Sequence, residues 1–308
     1  MALRSGCHED GHSDCRCYHE CVILCQQFHS LEHLIAAQSV GTAAGKEAAI
    51  ISCLMVTFDR LALAKLAIRS YAEQRYPQRE LVIVTDGEES YRSALTCYVE
   101  ELGIAGVRVI YPGSGEFTLG MLRNISIEAA QGEIICQWDD DDYSHPERLA
   151  VQACHMLAQR AGASFFTDHL QYIEPEGLLS WLDWSIDGQN QGLMQLAPGT
   201  LMMHRDTRFR YTESGPDARR GEDWLFMEAV YGDMPVTALG GVGHLYLYRY
   251  HGRNTFSREH HSKLRAERSR SNQQLLLDAD LLQEAIRCYP IVRPCSVVGR
   301  EGLAFVLS

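Results

Sequence analysis

Apolar and polar positions along the chain follow two alternating periods. Continuous apolar runs are typical of strands buried on both faces of a parallel sheet. They cover Ala49–Thr57, Leu81–Thr85, Val107–Tyr111 and Glu133–Trp138. The intervening stretches have apolar residues at helical spacing and predict helices over Leu61–Gln74, Tyr91–Leu102, Leu119–Ala130 and Pro146–Arg160. This β-α-β order predicts an α/β domain with a mostly parallel sheet flanked by helices.

The pattern changes from about Phe165 onwards, where shorter strand-like stretches are separated by glycine and proline turns. Strands are predicted at Ser164–Thr167, Leu170–Ile173, Leu178–Asp183, Thr200–His204 and Tyr246–Tyr250. A helix is predicted over Gly221–Tyr231, and one long, charged, amphipathic helix over Ser262–Cys288. We therefore divide the chain into an N-terminal extension (1–46), a main domain (47–258) and a C-terminal helical tail (259–308).

The N-terminal extension is rich in cysteine and histidine. A helix is predicted over Glu20–Gln38 and a linker over Ser39–Lys46. Thiolates and imidazoles are good Zn²⁺ ligands, so a zinc site is one interpretation. Its ligands would be Cys15, Cys17, Cys21 and Cys25. Because this spacing does not match paired CxxC motifs, the other interpretation is a packed helix in which cysteine serves as a small apolar residue.

Composition narrows the class of protein. Of the 308 residues, 46% are hydrophobic and 22% are charged, which excludes wholesale disorder. The net charge of −12 disfavours a protein whose main task is to coat nucleic acid. No apolar run approaches the roughly 20 residues of a membrane helix, and no signal peptide is visible. We therefore expect a cytoplasmic protein with no integral membrane segment and with reduced thiols.

The strongest chemical signal is a run of four carboxylates, Asp139-Asp140-Asp141-Asp142, directly after an apolar strand. Mutual repulsion would raise their pKa values unless positive charge lies beside them. Mg²⁺ and Mn²⁺ bind one or two carboxylates together with substrate phosphate oxygens. Ligands in such sheets lie beyond the carboxyl ends of the strands. A cation site is thus indicated, and the alternative is a solvated acidic loop that caps the next helix.

The pattern Asp139-x-Asp141-Asp142-x-x-x-Pro146 resembles the DxD segment of family 2 glycosyltransferases with the GT-A fold. Other segments of the family have similar counterparts in the same order. These are residues 52–60 (SCLMVTFDR), 82–87 (VIVTDG), 120–126 (GMLRNIS), 221–224 (GEDW) and 248–257 (YRYHGRNTFS). The resemblance covers roughly residues 49–257 and implies a GT-A-like, Rossmann-like domain.

The resemblance also implies roles for individual residues. Asp223, with Glu222 beside it, would provide the catalytic base, although both also suit the first turn of a helix. Asp141, Asp139 and His251 would hold Mn²⁺ or Mg²⁺. A nucleoside diphosphate sugar would be bound by Thr57, Asp59, Arg60, Asp86, Arg123, Asn124, Asp139, Asp140 and Arg253.

The function implied is an inverting, metal-dependent glycosyltransferase that uses a nucleoside diphosphate sugar, with UDP the commonest nucleotide in the family. The acceptor stays open among a glycan, a glycolipid, a peptide and a small molecule, and the negative net charge makes modified nucleic acid less favoured. One alternative is a non-catalytic sugar- or partner-binding module that retains the fold. Another is a sugar-1-phosphate nucleotidyltransferase, which residues 57–61 disfavour because they contain no glycine cluster.

Overall fold

The computed structural model describes residues 48–186 and 192–308. Its strands are β1 (Ile51–Val56), β2 (Arg79–Val84), β3 (Val107–Ile110), β4 (Ile134–Gln137), β5 (Tyr143–Ser144), β6 (Ala163–Phe166), β7 (Asp168–Ile173), β8 (Leu178–Asp183), β9 (Met202–His204), β10 (Val236–Leu239), β11 (Tyr246–Tyr250), β12 (Cys295–Gly299) and β13 (Gly302–Leu307). Its α-helices are α1 (Leu61–Ala72), α2 (Glu89–Leu102), α3 (Leu119–Ala129), α4 (Arg148–Ala158), α5 (Glu222–Asp233), α6 (Arg258–Arg268), α7 (Asn272–Leu277) and α8 (Ala279–Ala285).

Within the described residues, the first sheet has seven strands in the order β10-β6-β9-β4-β1-β2-β3. Strand β1 runs parallel to both β2 and β4. Strands β2 and β3 are also parallel to each other, and so are β6 and β10. Only β9 is antiparallel to its neighbours, β4 and β6. The predicted mostly parallel sheet is therefore confirmed.

Helices cover both faces of this sheet. Alternate side chains of β1 point to opposite faces, so Cys53 packs with α1, α2 and α4 on one side. Leu54 faces the opposite core, which α3 and α5 complete with Leu122 and Phe226. Because both faces of β1 are buried, its sequence is a continuous apolar run rather than an alternating one.

A second sheet of six strands in the order β13-β12-β8-β7-β11-β5 lies beside the first. Strand β5 immediately follows the four aspartates and pairs with β11, which precedes His251. The two sheets thus bring residues about 100 positions apart to the carboxyl ends of β1, β2 and β4, where the candidate site lies.

The prediction of a single long helix over Ser262–Cys288 is wrong. The structure has α6, α7 and α8 and a short 3₁₀ turn at Ile286–Cys288. The backbone leaves the helical path because the Arg270 N–H donates to the Trp181 carbonyl at 3.0 Å. Ser271 then starts α7 with a capping box that includes Gln274. The tail predicted to be helical also contains a β-hairpin, β12–β13, which extends the second sheet through β8.

Predictions for the N-terminal extension, including the helix over Glu20–Gln38 and the zinc ligands Cys15, Cys17, Cys21 and Cys25, lie outside the described residues. Among the helices of the described ranges, none has the length and apolar character needed to span a bilayer.

Candidate functional site

A cleft of about 280 Å³ opens at the carboxyl ends of the first sheet. Most of the predicted polar site residues meet there. Those that line it are Arg60, Arg123, Asp139, Asp140, Asp141, Glu222 and Asp223. Aromatic and histidine side chains of the second sheet, the loops that follow its strands and α6 form the opposite wall, among them His169, Trp184, Tyr248, Phe256 and His260.

Asp140 is the best-shielded aspartate of the run, with 2% of its surface exposed. Its Oδ2 accepts from the Thr57 hydroxyl at 2.7 Å, and its Oδ1 accepts from Arg60. Burial and the charge of Asp141 raise the pKa of Asp140 to about 7, against the opposing charge of Arg60. Thr57 and Asp140 thus form a buried anchor between β1 and the acidic run.

Asp141 faces two cationic or potentially cationic groups. Its Oδ2 accepts from Arg60 Nη1 at 2.9 Å and lies 3.2 Å from His251 Nε2. Burial acts to raise the pKa of Asp141, but the His251 hydrogen bond and the Arg60 charge outweigh it and lower that pKa. Asp141 is therefore held as a carboxylate, in contrast to Asp140.

Asp142 faces the second sheet. Its carboxylate accepts from the Tyr246 hydroxyl and, at 2.9 Å, from the Arg249 backbone N–H. Burial, followed by the charge of Asp141, raises the pKa of Asp142. Asp142 thus fixes the acidic run to β11, the strand that leads to His251.

Arg123 joins the acidic run to α5. Its Nη2 donates to Asp139 and its Nε to Glu222, each at 3.2 Å. Gln137 also donates to Asp139 Oδ2, at 3.0 Å. Glu222 is 4% exposed, and burial raises its pKa against the opposing charge of Arg123. This bridge gives Glu222 a positioning role, because its carboxylate is used to hold Arg123.

Glu222 and Asp223 are the two acidic residues at the start of α5, and Asp223 is the one whose carboxylate lines the cleft without an ion pair. It is half-buried, and its Oδ1 accepts only from the N–H of Trp224, at 2.8 Å, among the hydrogen bonds of the described part. The sharp turn into α5 comes from Gly221, whose φ of +92° is unfavourable for other residues. Asp223 thus has the geometry of a general base: a carboxylate that lines the cleft and forms no ion pair within the described ranges.

The donor set at Asp141 and His251 suits a hard divalent cation. Mn²⁺ and Mg²⁺ use one or two protein ligands and complete their shell with substrate phosphate oxygens and water. In the described part, no three His, Cys, Asp or Glu side chains are close enough to enclose an ion by themselves. The carboxylate–imidazole pair therefore fits a cation that substrate oxygens help to hold.

Five predicted nucleotide contacts lie outside the cleft lining, and one of them is Thr57, which bonds Asp140 behind it. Asp59 is exposed with φ +48°, and Arg253 is also exposed. Asp86 follows β2, and its Oδ1 is buried with no hydrogen-bond partner in the described part. Asn124 is 1% exposed, and its amide bonds the Tyr211 backbone at 2.8 and 2.9 Å and Glu213 at 2.7 Å. Asn124 therefore holds α3 to the neighbouring loop rather than facing a ligand.

Sequence reasoning missed three kinds of residue at the site. Gln137 shares a strand face with Asp139, so the period of two could have revealed it. Tyr246 meets Asp142 across 104 positions, and no local signal marks that contact. Arg219 and Arg220 line the cleft just before α5, next to the two carboxylates that the sequence did indicate.

Comparisons with known proteins agree with this architecture. One relative is WcaA of Escherichia coli (strain K12), whose name assigns it a glycosyl transferase role in colanic acid biosynthesis; it is 37% identical over 106 residues. That match covers 34% of this chain and 37% of WcaA, so it spans well under half of the relative.

Solved structures of S. aureus TarS 1-349 share the fold. One has a TM-score of 0.51 at 16% identity, and the match covers 70% of this chain and 69% of the TarS 1-349 chain. Another, in complex with UDP, has a TM-score of 0.51 at 15% identity, and the match covers 78% of this chain and 81% of the TarS 1-349 chain. The family model described as glycosyl transferase family 2 matches residues 52–212, which is more than half of the chain. The chain therefore belongs to glycosyl transferase family 2.

Proposed function

We propose that this protein transfers a sugar from a nucleoside diphosphate sugar to an acceptor hydroxyl with inversion at the anomeric carbon. The observation that carries the proposal is one cleft lined by both the Asp139–Asp142 run and the open carboxylate of Asp223. The run suits a diphosphate–cation complex, and a carboxylate suits proton removal from an alcohol. Family membership supports the same reaction class.

The donor side lies at the ends of β1, β2 and β4. The buried Oδ1 of Asp86, without a partner in the described part, suits an N–H donor such as a nucleobase imide. The TarS structures with UDP and with UDP-GlcNAc support a UDP-sugar as the first donor to test. Asp141 and His251, with Asp139 beside them, would hold Mn²⁺ or Mg²⁺. When bound, that cation supplies positive charge to the leaving diphosphate.

The reaction is a single displacement. The acceptor oxygen forms a bond to the anomeric carbon while the bond from that carbon to the diphosphate oxygen breaks, and the diphosphate leaves with the electron pair. Asp223 takes the proton of the acceptor hydroxyl. Because one nucleophile attacks opposite the leaving group, the configuration inverts. Arg123, held by Asp139 and Glu222, fixes the position of α5 and therefore that of Asp223.

Donor cleavage tests the proposal without an identified acceptor, because water can replace the alcohol. We would incubate the protein with UDP- and GDP-sugars, with Mn²⁺ or with EDTA, and follow nucleotide release and the released sugar by NMR. We expect release from one donor class only with the cation, and a β anomer released first from an α-linked donor. Absence of release from every donor would contradict the proposed reaction, and an α anomer formed first would contradict inversion.

A further inference from the structure

The charged groups that line the cleft are mostly paired with one another. Arg60 pairs with Asp140 and Asp141. Arg123 pairs with Asp139 and Glu222, and Asp142 accepts from Tyr246. Apart from Asp142, which is held by its hydrogen bonds, three charged side chains of the lining have no ion pair with another described residue: Arg219, Arg220 and Asp223. These three lie within five consecutive residues.

The two arginines lie at the mouth of the cleft. Both are exposed, and they follow the 3₁₀ turn at Pro216–Ala218. The Arg220 guanidinium lies over the Phe256 ring, 4.7 Å from its centroid. This contact turns the Arg220 side chain towards the loop after β11 and across the cleft. The charge of Arg220, after burial, also lowers the pKa of His260, whose ring stacks on Phe256.

We propose that Arg219 and Arg220 form an anion subsite for the acceptor, which therefore carries a phosphate or carboxylate group close to the hydroxyl that is glycosylated. The inference rests on the proposed function, because it takes Asp223 as the base. Asp223 is three residues after Arg220 in the chain, and both line the same cleft. A group held by the arginines would therefore lie beside the hydroxyl that Asp223 deprotonates. Arginine is well suited to this, since its planar guanidinium binds phosphate and carboxylate oxygens in a bidentate manner.

The position of the pair favours the acceptor over the donor. The donor side already has the cations Arg60, just before α1, and Arg123, on α3, together with the proposed metal ligands Asp141 and His251. Arg219 and Arg220 come instead from the entrance to α5. Neither arginine has a carboxylate partner among the described residues, so both guanidinium groups at the cleft are available to a bound anion.

Matched small molecules test the subsite directly. NMR titrations would compare methyl glucuronide with methyl glucoside, and glycerol phosphate with glycerol, on the whole chain saturated with donor nucleotide and Mg²⁺. The nucleotide fills the donor diphosphate site, so added anions report on another site. We expect each charged probe to bind about ten-fold more tightly than its neutral partner, the effect of one or two charge-assisted hydrogen bonds.

Variants assign the effect to the pair. In Arg219→Gln/Arg220→Gln, the preference for the charged probes should disappear, whereas Arg219→Lys/Arg220→Lys should keep most of it. Arg287→Gln is the matched control, because Arg287 is an exposed arginine on the 3₁₀ turn after α8 and should not change the preference.

Three outcomes would overturn the inference. The first is equal binding of charged and neutral probes to the unaltered protein. The second is a charge preference that survives the double glutamine substitution. The third is a double variant that loses affinity for the nucleotide itself, which would place the arginines at the donor diphosphate. Failure of any nucleotide to bind the unaltered protein would instead contradict the proposed function, and this inference with it.

Discussion

The carboxylate of Asp223 is the residue on which the proposed chemistry depends most. Asp223→Asn removes the proton acceptor while keeping the size and the hydrogen bond to the α5 backbone. We expect the transfer or hydrolysis rate to fall by about 10²–10⁴-fold, the usual contribution of a general base. Nucleotide affinity, measured by calorimetry, should stay within about two-fold. Asp233→Asn, at the last residue of the same helix, is the control. An Asp223→Asn variant with the normal rate would refute its role.

Arg60 neutralises Asp140 and Asp141 in the absence of a metal ion. Arg60→Gln leaves these two carboxylates facing each other, so we expect the free energy of unfolding to fall by about 2 kcal/mol, the scale of a hydrogen bond to a charged group. Mn²⁺ should raise the melting temperature of this variant more than that of the unaltered protein, because the ion replaces the missing charge.

Arg287→Gln, which breaks an exposed pair with Glu284, controls for the loss of one surface arginine in these melting measurements. The interpretation of Arg60 fails if Mn²⁺ raises the melting temperature of both proteins by the same amount.

At the scale of elements, α3 is held against the loop at residues 211–213 by a close backbone contact. A Cβ atom at Gly120 would lie 1.9 Å from the Thr212 carbonyl oxygen. Gly120→Ala should therefore lower the free energy of unfolding by about 1–3 kcal/mol, the cost of overpacking, although alanine is the better helix former. Chemical denaturation measures the change.

Gly232→Ala is the matched control because Gly232 lies in α5 with nothing within 4 Å of the added methyl group. That variant should gain up to about 1 kcal/mol from helix propensity. Equal effects of the two substitutions would show that the contact between α3 and the loop is loose.

Elements with a local signal could be predicted from the sequence, and elements that depend on distant partners could not. Strands β1, β2 and β4 are buried on both faces, so their apolar runs are continuous and easy to recognise. The end of α6 at Arg268 was not predicted, because it depends on a hydrogen bond from the Arg270 N–H to the Trp181 carbonyl. The spacing of apolar residues along the helix gives no sign of that contact. The β12–β13 hairpin was missed for the same reason, since β12 pairs with β8 more than 100 residues earlier.

The candidate site shows the same division. The four aspartates were visible because they are contiguous and follow an apolar strand. The partners of the aspartates could be predicted only in part. The family resemblance indicated Arg60 and His251 as site residues, but not that both contact Asp141, because these are tertiary contacts. Asn124 looked like a ligand contact and is instead a buried link to Tyr211, a difference that side-chain type alone does not reveal.

On the scale of the whole molecule, buried histidines make stability depend on pH. Burial, then the charge of Arg75, lowers the pKa of His145 to about 4, and burial, then His145 and Arg270, lowers that of His244 to about 3. The unfolded chain binds these protons near pH 6.5, and the folded protein binds them only near pH 4 or below. The stability contributed by the neutral histidines is therefore complete above pH 6.5 and is lost as the pH falls towards 4.

The variant His145→Gln isolates one of these contributions, since glutamine keeps an acceptor for the Glu147 N–H and cannot be protonated. Between pH 6 and 4, its free energy of unfolding should fall less steeply than that of the unaltered protein, by up to about 1.4 kcal/mol per pH unit. Asp168, whose pKa burial raises to about 6, contributes with the opposite sign in both proteins and cancels in the difference. The exposed His204→Gln is the control, and identical slopes for His145→Gln and the unaltered protein would contradict the prediction.

The most direct test of the central claim, that the cleft binds a metal–nucleotide complex, is a thermal-shift panel. UDP, GDP, dTDP and CMP would each be added with and without Mn²⁺ to the unaltered protein and to Asp141→Asn. A ligand that binds only the native state raises the melting temperature. We predict a shift for one nucleotide that requires Mn²⁺ and that Asp141→Asn abolishes. No shift with any nucleotide, or an equal shift in Asp141→Asn, would contradict the account.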